Sequence, residues 1–334
     1  MLGFDVFNGD ADGICALHQL RLDHPRPGNR LVSGVKRDIA LLEQVVAAAV
    51  PAAAEVTVLD ISLDRNREAL ERLLPACRVF YVDHHHAGEI PDHPNLTTHI
   101  KPDPELCTSL IVDELMGGRY RPWAVAGAFG DNLHGPARRA ALAAGLEEEQ
   151  IVVLRELGEL LNYNGYGAAV ADLHFDPVEL YRDVAAYPDP LAFCRRSPVL
   201  ATLRRGFADD LERGRAVEPW RESRAGRILL LPGQAWARRV SGVLANELAR
   251  SAPNQAHALL VENADGSFLV SVRAPLDRLQ GADTLCRAFP TGGGRAGAAG
   301  INALPPDRLG DFRQAFEAAF SPEQRSPEPE NGAP

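Results

Sequence analysis

The sequence predicts an α/β protein in two parts: an N-terminal parallel-sheet α/β domain with a helical insertion, and a smaller C-terminal α/β domain across a cleft. Three observations carry that prediction. Short apolar, β-branched runs alternate with segments of helical period as far as about Val82. From Thr108 to about Tyr187 the pattern is mostly helical. After Gly226 strand and helix patterns alternate again. Strands separated by helices of this length join as parallel neighbours through right-handed crossovers.

Taken in order, Leu2–Phe7 reads as a strand, and Ile14, Leu17 and Leu20 mark the buried face of a helix after an Asp-Gly turn. Arg30–Val35 is a short strand. A helix is expected near Asp38–Val50, with Ile39, Leu42, Val45, Val46 and Ala49 at helical spacing. Val56–Ile61 is β-branched and strand-like, a helix follows near Asp64–Leu74, and Arg78–Val82 is the fourth strand. The middle predicts helices at Ser109–Met116, Pro122–Ala128, Pro136–Ala144, Glu147–Leu161 and Pro177–Ala186, with Pro188-Asp189-Pro190 breaking the run. Leu203–Arg224 is charged and includes a connecting helix. Beyond it, Arg227–Leu231, Ala256–Val261 and Ser267–Arg273 read as strands, and Ser241–Arg250, Asp283–Phe289 and Asp307–Phe320 as helices. The expected division is 1–195 for the first domain, 196–225 for a linker helix, 226–320 for the second domain, and 321–334 for a Pro/Glu/Ser-rich disordered tail.

The 334 residues carry 35 basic and 45 acidic side chains, a net charge of −10. Proteins that grip long duplex nucleic acid usually present a basic face, so this balance points to a small or short anionic substrate. No apolar run approaches the roughly 20 residues needed to span a bilayer, and the N-terminus lacks the basic and long apolar stretches of a signal peptide. The expected location is the cytoplasm, with no membrane partner; a homodimer is compatible with the sequence. Five dispersed cysteines without Cys-x-x-Cys spacing read as buried thiols.

Chemistry concentrates at the ends of the hydrophobic runs. Asp10-Ala11-Asp12-Gly13, Asp60, Asp83-His84-His85 and Gly130-Asp131-Asn132 place carboxylates and imidazoles where parallel strands of an α/β sheet open into a crevice. Gathered acids repel one another unless cations sit between them, and oxygen ligands with one or two imidazoles suit Mn²⁺ or Mg²⁺. Each segment has a plainer reading alone: a surface turn, a helix cap at Asp60, an exposed polar loop at His84–His86. Their joint placement on different strand ends is what singles them out. Lys36-Arg37 either enters the crevice or is solvated, and Asn162–Gly167 is a helix end or a loop able to stack a base.

Phe7–Gly13, Asp60, Asp83-His84-His85 and Gly130-Asp131-Asn132 resemble, in order and spacing, the four motifs of the DHH phosphoesterase superfamily. Val270-Ser271-Val272-Arg273 and Gly292-Gly293-Gly294-Arg295-Ala296-Gly297-Ala298-Ala299-Gly300 are similar to that family's accessory DHHA1-type substrate domain. The resemblance implies a two-metal phosphodiesterase with Asp10, Asp12, Asp60, His84 and Asp131 as ligands of two Mn²⁺ or Mg²⁺ ions, Asp60 bridging them. It assigns His85 to the scissile phosphate, Asp83 to orienting the histidines, and Arg273, Gly292, Gly293, Gly294 and Arg295 to the far phosphate or terminal nucleotide. The implied reaction is in-line attack of activated water on phosphorus in short oligonucleotides or small (di)nucleotides. A pyrophosphate or polyphosphate phosphohydrolase and a nucleotide-binding regulatory protein with impaired catalysis are the alternatives.

Two departures stand out. Val6 occupies a position where many members have a histidine, so that either the first ion is held more weakly or Asn8 or His174 compensates, and Arg295 replaces the histidine of the glycine loop. Arginine keeps a permanent forked charge there but gives up proton donation and metal ligation.

Overall fold

The computed structural model describes residues 3–48 and 53–321. They form two compact units that divide between Phe207 and Ala208.

In the first unit, strands β1 (Phe4–Phe7), β2 (Arg30–Val32), β3 (Glu55–Leu59), β4 (Arg78–Asp83) and β5 (Leu96–Ile100) make one parallel sheet in the order β2-β1-β3-β4-β5. Helices α1 (Ala11–Asp23), α2 (Leu42–Ala47) and α3 (Leu63–Leu73) connect the first four strands. The core between sheet and helices is mostly aliphatic, built from Val6, Val32, Val56, Val58, Leu70 and Val79 with the aromatic Tyr81 among others. Val6 is fully buried in it and offers no donor to any site.

The helical segment follows: α4 (Thr108–Leu115), α5 (Arg121–Gly130), α6 (His134–Ala143), α7 (Glu148–Asn164), α8 (Pro177–Ala185), α9 (Pro190–Arg196) and α10 (Pro198–Arg215). Helices α5 and α7 approach so closely that a Cβ on Gly158 would stand 2.1 Å from the Ala126 carbonyl oxygen. A Cβ on Gly130 would meet the Ala11 Cβ of α1 at 2.3 Å. Small residues at these crossings let the end of α5 reach the start of α1.

The second unit has a six-stranded mixed sheet in the order β10-β11-β9-β8-β7-β6. Its strands are β6 (Arg221–Glu222), β7 (Gly226–Leu231), β8 (Ala256–Glu262), β9 (Phe268–Arg273), β10 (Gly292–Arg295) and β11 (Ala298–Leu304). Helix α11 (Ala235–Ser251) connects the parallel pair β7 and β8; α12 (Ala282–Arg287) and α13 (Leu309–Phe320) complete the unit. Phe289, Phe312, Phe316 and Phe320 fill its core.

The differences from the sequence reading have physical causes. The helix expected near Asp38–Val50 is confined, among the described residues, to Leu42–Ala47, with Ala49 and Val50 outside them. Asn66 fixes the turn before it, accepting from the Leu42 N–H at 3.1 Å and donating to the Ile39 carbonyl at 2.5 Å. Strand β5 carries no apolar run, and its Thr-Thr-His sequence beside Pro91 and Pro94 gave no strand signal. The Pro188–Pro190 break starts α9: Asp189 caps it and Pro190 takes the first helical position, where a missing N–H costs nothing. The segment read as a glycine loop, Gly292–Gly300, is a β-hairpin formed by β10 and β11. The tail expected to be disordered lies, beyond Ser321, outside the described residues.

Candidate active site

Strand register sets the site. Phe7 pairs with Leu59 and Leu59 with Val82, so the three stand level across β1, β3 and β4. The next residues are Asn8, Asp60 and Asp83. The ladder continues through them: the Asn8 N–H donates to the Leu59 carbonyl at 3.2 Å and the Asp60 N–H to the Val82 carbonyl at 3.1 Å. In the order β2-β1-β3, chain direction through the sheet reverses beside β1, and such a switch point leaves a crevice at the carboxyl ends of the strands. Asp60 turns the chain there with φ of 59°, a left-handed conformation that aspartate tolerates better than most residues.

The acids brought to this crevice are held in different ways. Asp10 is the N-cap of α1; its Oδ1 accepts from the Asp12 and Gly13 amides at 3.0 and 3.1 Å. Asp12 accepts from the Thr108 and Ser109 amides, one on each oxygen and both at 2.7 Å. The N-terminus of α4 is thus occupied by a carboxylate that its dipole favours. Asp60 accepts from the Thr108 hydroxyl at 3.1 Å. Burial, then the charges of Asp12, Asp10, Asp131 and Asp83, push the Asp60 carboxyl well above the usual range.

The histidines complete the cluster. His84 Nε2 lies 3.4 Å from Asp60 Oδ1 and 3.7 Å from Asp131 Oδ2. Ring nitrogens of His84 and His85 and a carboxylate oxygen of Asp60 all fall within 4.8 Å of one another. Asp83 is fully buried; it holds His85 Nδ1 at 2.7 Å, while its second oxygen has no partner. Burial draws His85 down, but the Asp83 hydrogen bond and charge more than offset it, so its pKa is raised. That contact leaves Nε2 as the ring nitrogen available for metal or phosphate.

Sequence reasoning left Lys36 and Asn162 undecided, and the structure places both in the site. Lys36 Nζ donates to Asp10 Oδ2 at 2.5 Å, Asn162 Oδ1 at 2.9 Å and Asp131 Oδ1 at 3.3 Å. It also stands over the Tyr166 ring, 5.8 Å from its centroid. Burial opposes the ammonium, but Asp10 foremost, with Tyr166 and Asp131, raises its pKa well above the ordinary value. For Asp10, burial is overcome by Lys36, and the carboxyl ends below its usual range. Burial raises Asp131; Lys36 counters only part of this, and Asp12 and Asp10 add to the rise. Of the two residues offered as substitutes for the missing histidine, His174 is hydrogen-bonded to the Tyr163 hydroxyl at 2.7 Å. Asn8 is buried beside Lys36, donating to its carbonyl at 3.4 Å, with Oδ1 unpartnered.

The predicted substrate residues lie in the second unit. Ala298 pairs with Arg295 on one side and Arg273 on the other, so both arginines and the small alanine form one row on one face of the sheet. With strands about 4.8 Å apart, the arginine backbones stand roughly 10 Å from each other. Arg273 donates to Asn246 of α11 at 2.7 Å, and Arg295 is exposed at the hairpin end. Gly292, Gly293 and Gly294 form the rest of β10. Gly294 has φ of 139°, and a Cβ there would come 2.5 Å from the Ala299 backbone, so the hairpin requires glycine.

No family model matches the sequence, and no curated protein matches it either. Solved structures do. RecJ of Thermus thermophilus in complex with Mn²⁺ superposes with a TM-score of 0.60 at 18% identity, covering 98% of this chain and 53% of its own. The chain therefore spans about half the length of that protein. A manganese-bound exonuclease RecJ gives 0.52 at 17% identity, covering 96% of this chain and 90% of its own. The pGpG-specific phosphodiesterase PggH of Vibrio cholerae gives 0.50 at 12% identity, covering 95% and 98%. The chain has the fold of these RecJ and PggH structures.

Proposed function

We propose that this protein is a metal-dependent phosphodiesterase that hydrolyses short oligonucleotides or small (di)nucleotides. The observation that carries the reading is the convergence of Asp60, His84 and His85, with their donor atoms within 4.8 Å, at the switch point of a DHH-type sheet. A small divalent ion takes ligands at about 2.0–2.2 Å, so one ion can draw on all three groups. Oxygen and imidazole together suit Mn²⁺, the ion present in the RecJ structures this fold resembles. The buried, half-partnered Asp83 fits such a centre too, because a carboxylate behind a ligating histidine fixes its tautomer and orientation.

When bound, the ion would supply charge neutralisation on the phosphate oxygens and activation of the attacking water. The protein's own residues do the rest. Asp83 holds His85 Nδ1 and so fixes the ring in one orientation, leaving Nε2 to face the ion. Asp12 ties α4 to α1 and keeps the floor of the crevice rigid. In the second unit the row Arg273–Ala298–Arg295 is the proposed holder of the substrate's remaining phosphate or terminal nucleotide, through charge-assisted hydrogen bonds. Net charge of −10 favours short substrates over long duplexes. Among the described residues no helix is long and apolar enough to cross a membrane.

The test is a panel of linear dinucleotides, cyclic dinucleotides, two- to five-residue RNA and DNA, and pyrophosphate, incubated with Mn²⁺. Mononucleotide release from the short strands, lost in His84→Ala, supports the reading. Phosphate release from pyrophosphate alone would move the activity to phosphoanhydrides. No turnover of any substrate would leave a nucleotide-binding protein.

A further inference from the structure

Lys36 is placed with unusual completeness for a lysine. Its backbone is clamped on both sides: its N–H donates to the Gly165 carbonyl at 2.8 Å, and its carbonyl accepts from Asn8. An ammonium has three hydrogens to donate, and all three find acceptors in Asp10, Asn162 and Asp131. These come from three separate elements: the start of α1 and the ends of α5 and α7. The ammonium therefore binds the groups as a cation binds its ligands, by gathering oxygens from different parts of the chain.

Many of the carboxylate lone pairs at the crevice are already engaged. Asp10 Oδ1 accepts two α1 amides, and its Oδ2 accepts Lys36. Both oxygens of Asp12 accept from the amides of α4. Asp131 gives one oxygen to Lys36 and keeps the other near His84. Val6 contributes no donor. What remains together and near enough for one ion is Asp60, His84 and His85. Two separate cation positions are thus visible, and one of them is filled by the protein.

We propose that Lys36 is a built-in cation that stands in for one of two metal ions, so that the centre takes a single divalent ion on Asp60, His84 and His85. The inference rests on the metal-dependent reading above for that single ion. In it the ammonium takes the place of one of the two ions expected from the sequence. The fixed charge offsets Asp10 and part of the charge on Asp131 without a metal, and it keeps the crevice assembled while the exchangeable ion comes and goes.

Metal-free full-length protein titrated with Mn²⁺ alone tests this, with bound metal counted after gel filtration and the spin state read by electron paramagnetic resonance. One Mn²⁺ per chain with a mononuclear six-line spectrum is the expected result for wild type. In Lys36→Met, which keeps an unbranched side chain one atom shorter and removes its charge, a second ion should bind at least tenfold more tightly, and the spectrum should show two coupled ions. Two coupled ions in wild type would overturn the inference while leaving the proposed activity intact. A Lys36→Met protein that still binds one ion would overturn it as well, since the ammonium would then not be what excludes the second. No bound Mn²⁺ in wild type would instead refute the metal-dependent reading and the inference with it. The wild-type stoichiometry decides even if the variant fails to fold.

Discussion

Replacing Asp12 by asparagine asks whether this carboxylate is first a strut or first a ligand. In the structure its two oxygens accept the Thr108 and Ser109 amides at 2.7 Å, in a buried position at the start of α4. Asn keeps the side-chain shape but presents a nitrogen where one oxygen accepts. One hydrogen bond to a charged group disappears, about 1.5–3 kcal/mol, and a buried backbone N–H is left facing another donor, about 1–3 kcal/mol. Loss of the negative charge also relieves Asp60, which Asp12 pushes upward, and so offsets part of the cost. The expected net loss is about 2–4 kcal/mol in the metal-free protein. Urea unfolding in EDTA measures it, with Trp123 as the fluorescent reporter of the first unit in a Trp220→Phe/Trp236→Phe background. The midpoint should fall with the slope unchanged. A metal-free midpoint that stays put or rises would refute the reasoning, because a pure ligand contributes to stability only when its ion is bound.

Three further predictions follow from the same geometry. A carboxyl raised above its unfolded value of about 3.9 contributes stability fully present below that pH and lost as pH rises through the folded value. Asp60 is raised in this way, so in EDTA the thermal midpoint of Asp60→Asn should exceed that of wild type at pH 7 and the two should converge near pH 4; a constant difference would contradict it. Gly158→Ala drives a methyl against the Ala126 carbonyl and should cost about 1–3 kcal/mol while loosening the end of α5 that carries Asp131. Denaturation together with Mn²⁺ affinity would expose the error if both match wild type. Arg295→Gln should raise KM for a short oligonucleotide roughly 10- to 100-fold, the worth of a charge-assisted hydrogen bond, with kcat little changed; steady-state kinetics showing the loss in kcat would point to a role at the reacting phosphate.

What could be read in the sequence was whatever a local pattern encodes. Val56–Leu59 and Val79–Val82 are apolar and β-branched because both faces of a parallel strand are covered, and Ile14, Leu17 and Leu20 repeat at helical spacing because one side of α1 is buried. Asp10, Asp60, Asp83 and His84 were visible because each follows such a run. Strand β5 was not, since only Leu96 and Ile100 at its two ends pack on the core and Thr-Thr-His between them forms no apolar run. Lys36 and Asn162 carry no motif; their roles exist only once β2 and α7 are brought beside α1, a contact between residues far apart in the chain. The engagement of Asp12 by α4 was hidden for the same reason, as its partners lie 96 and 97 positions away.

The level alignment of Phe7, Leu59 and Val82 bears on how this scaffold tolerates change in length. An insertion of one residue within β1, β3 or β4 would invert the facing of everything beyond it and lift one acid out of the crevice. The connections at the opposite edge of the sheet, such as Pro25–Asn29 before β2 and Pro75–Cys77 before β4, carry no such constraint. Tags, affinity modules or reporter domains grafted there should leave chemistry untouched, whereas the turns after each strand are closed to elongation. Divergence in length, natural or engineered, is thereby channelled to one pole of the domain.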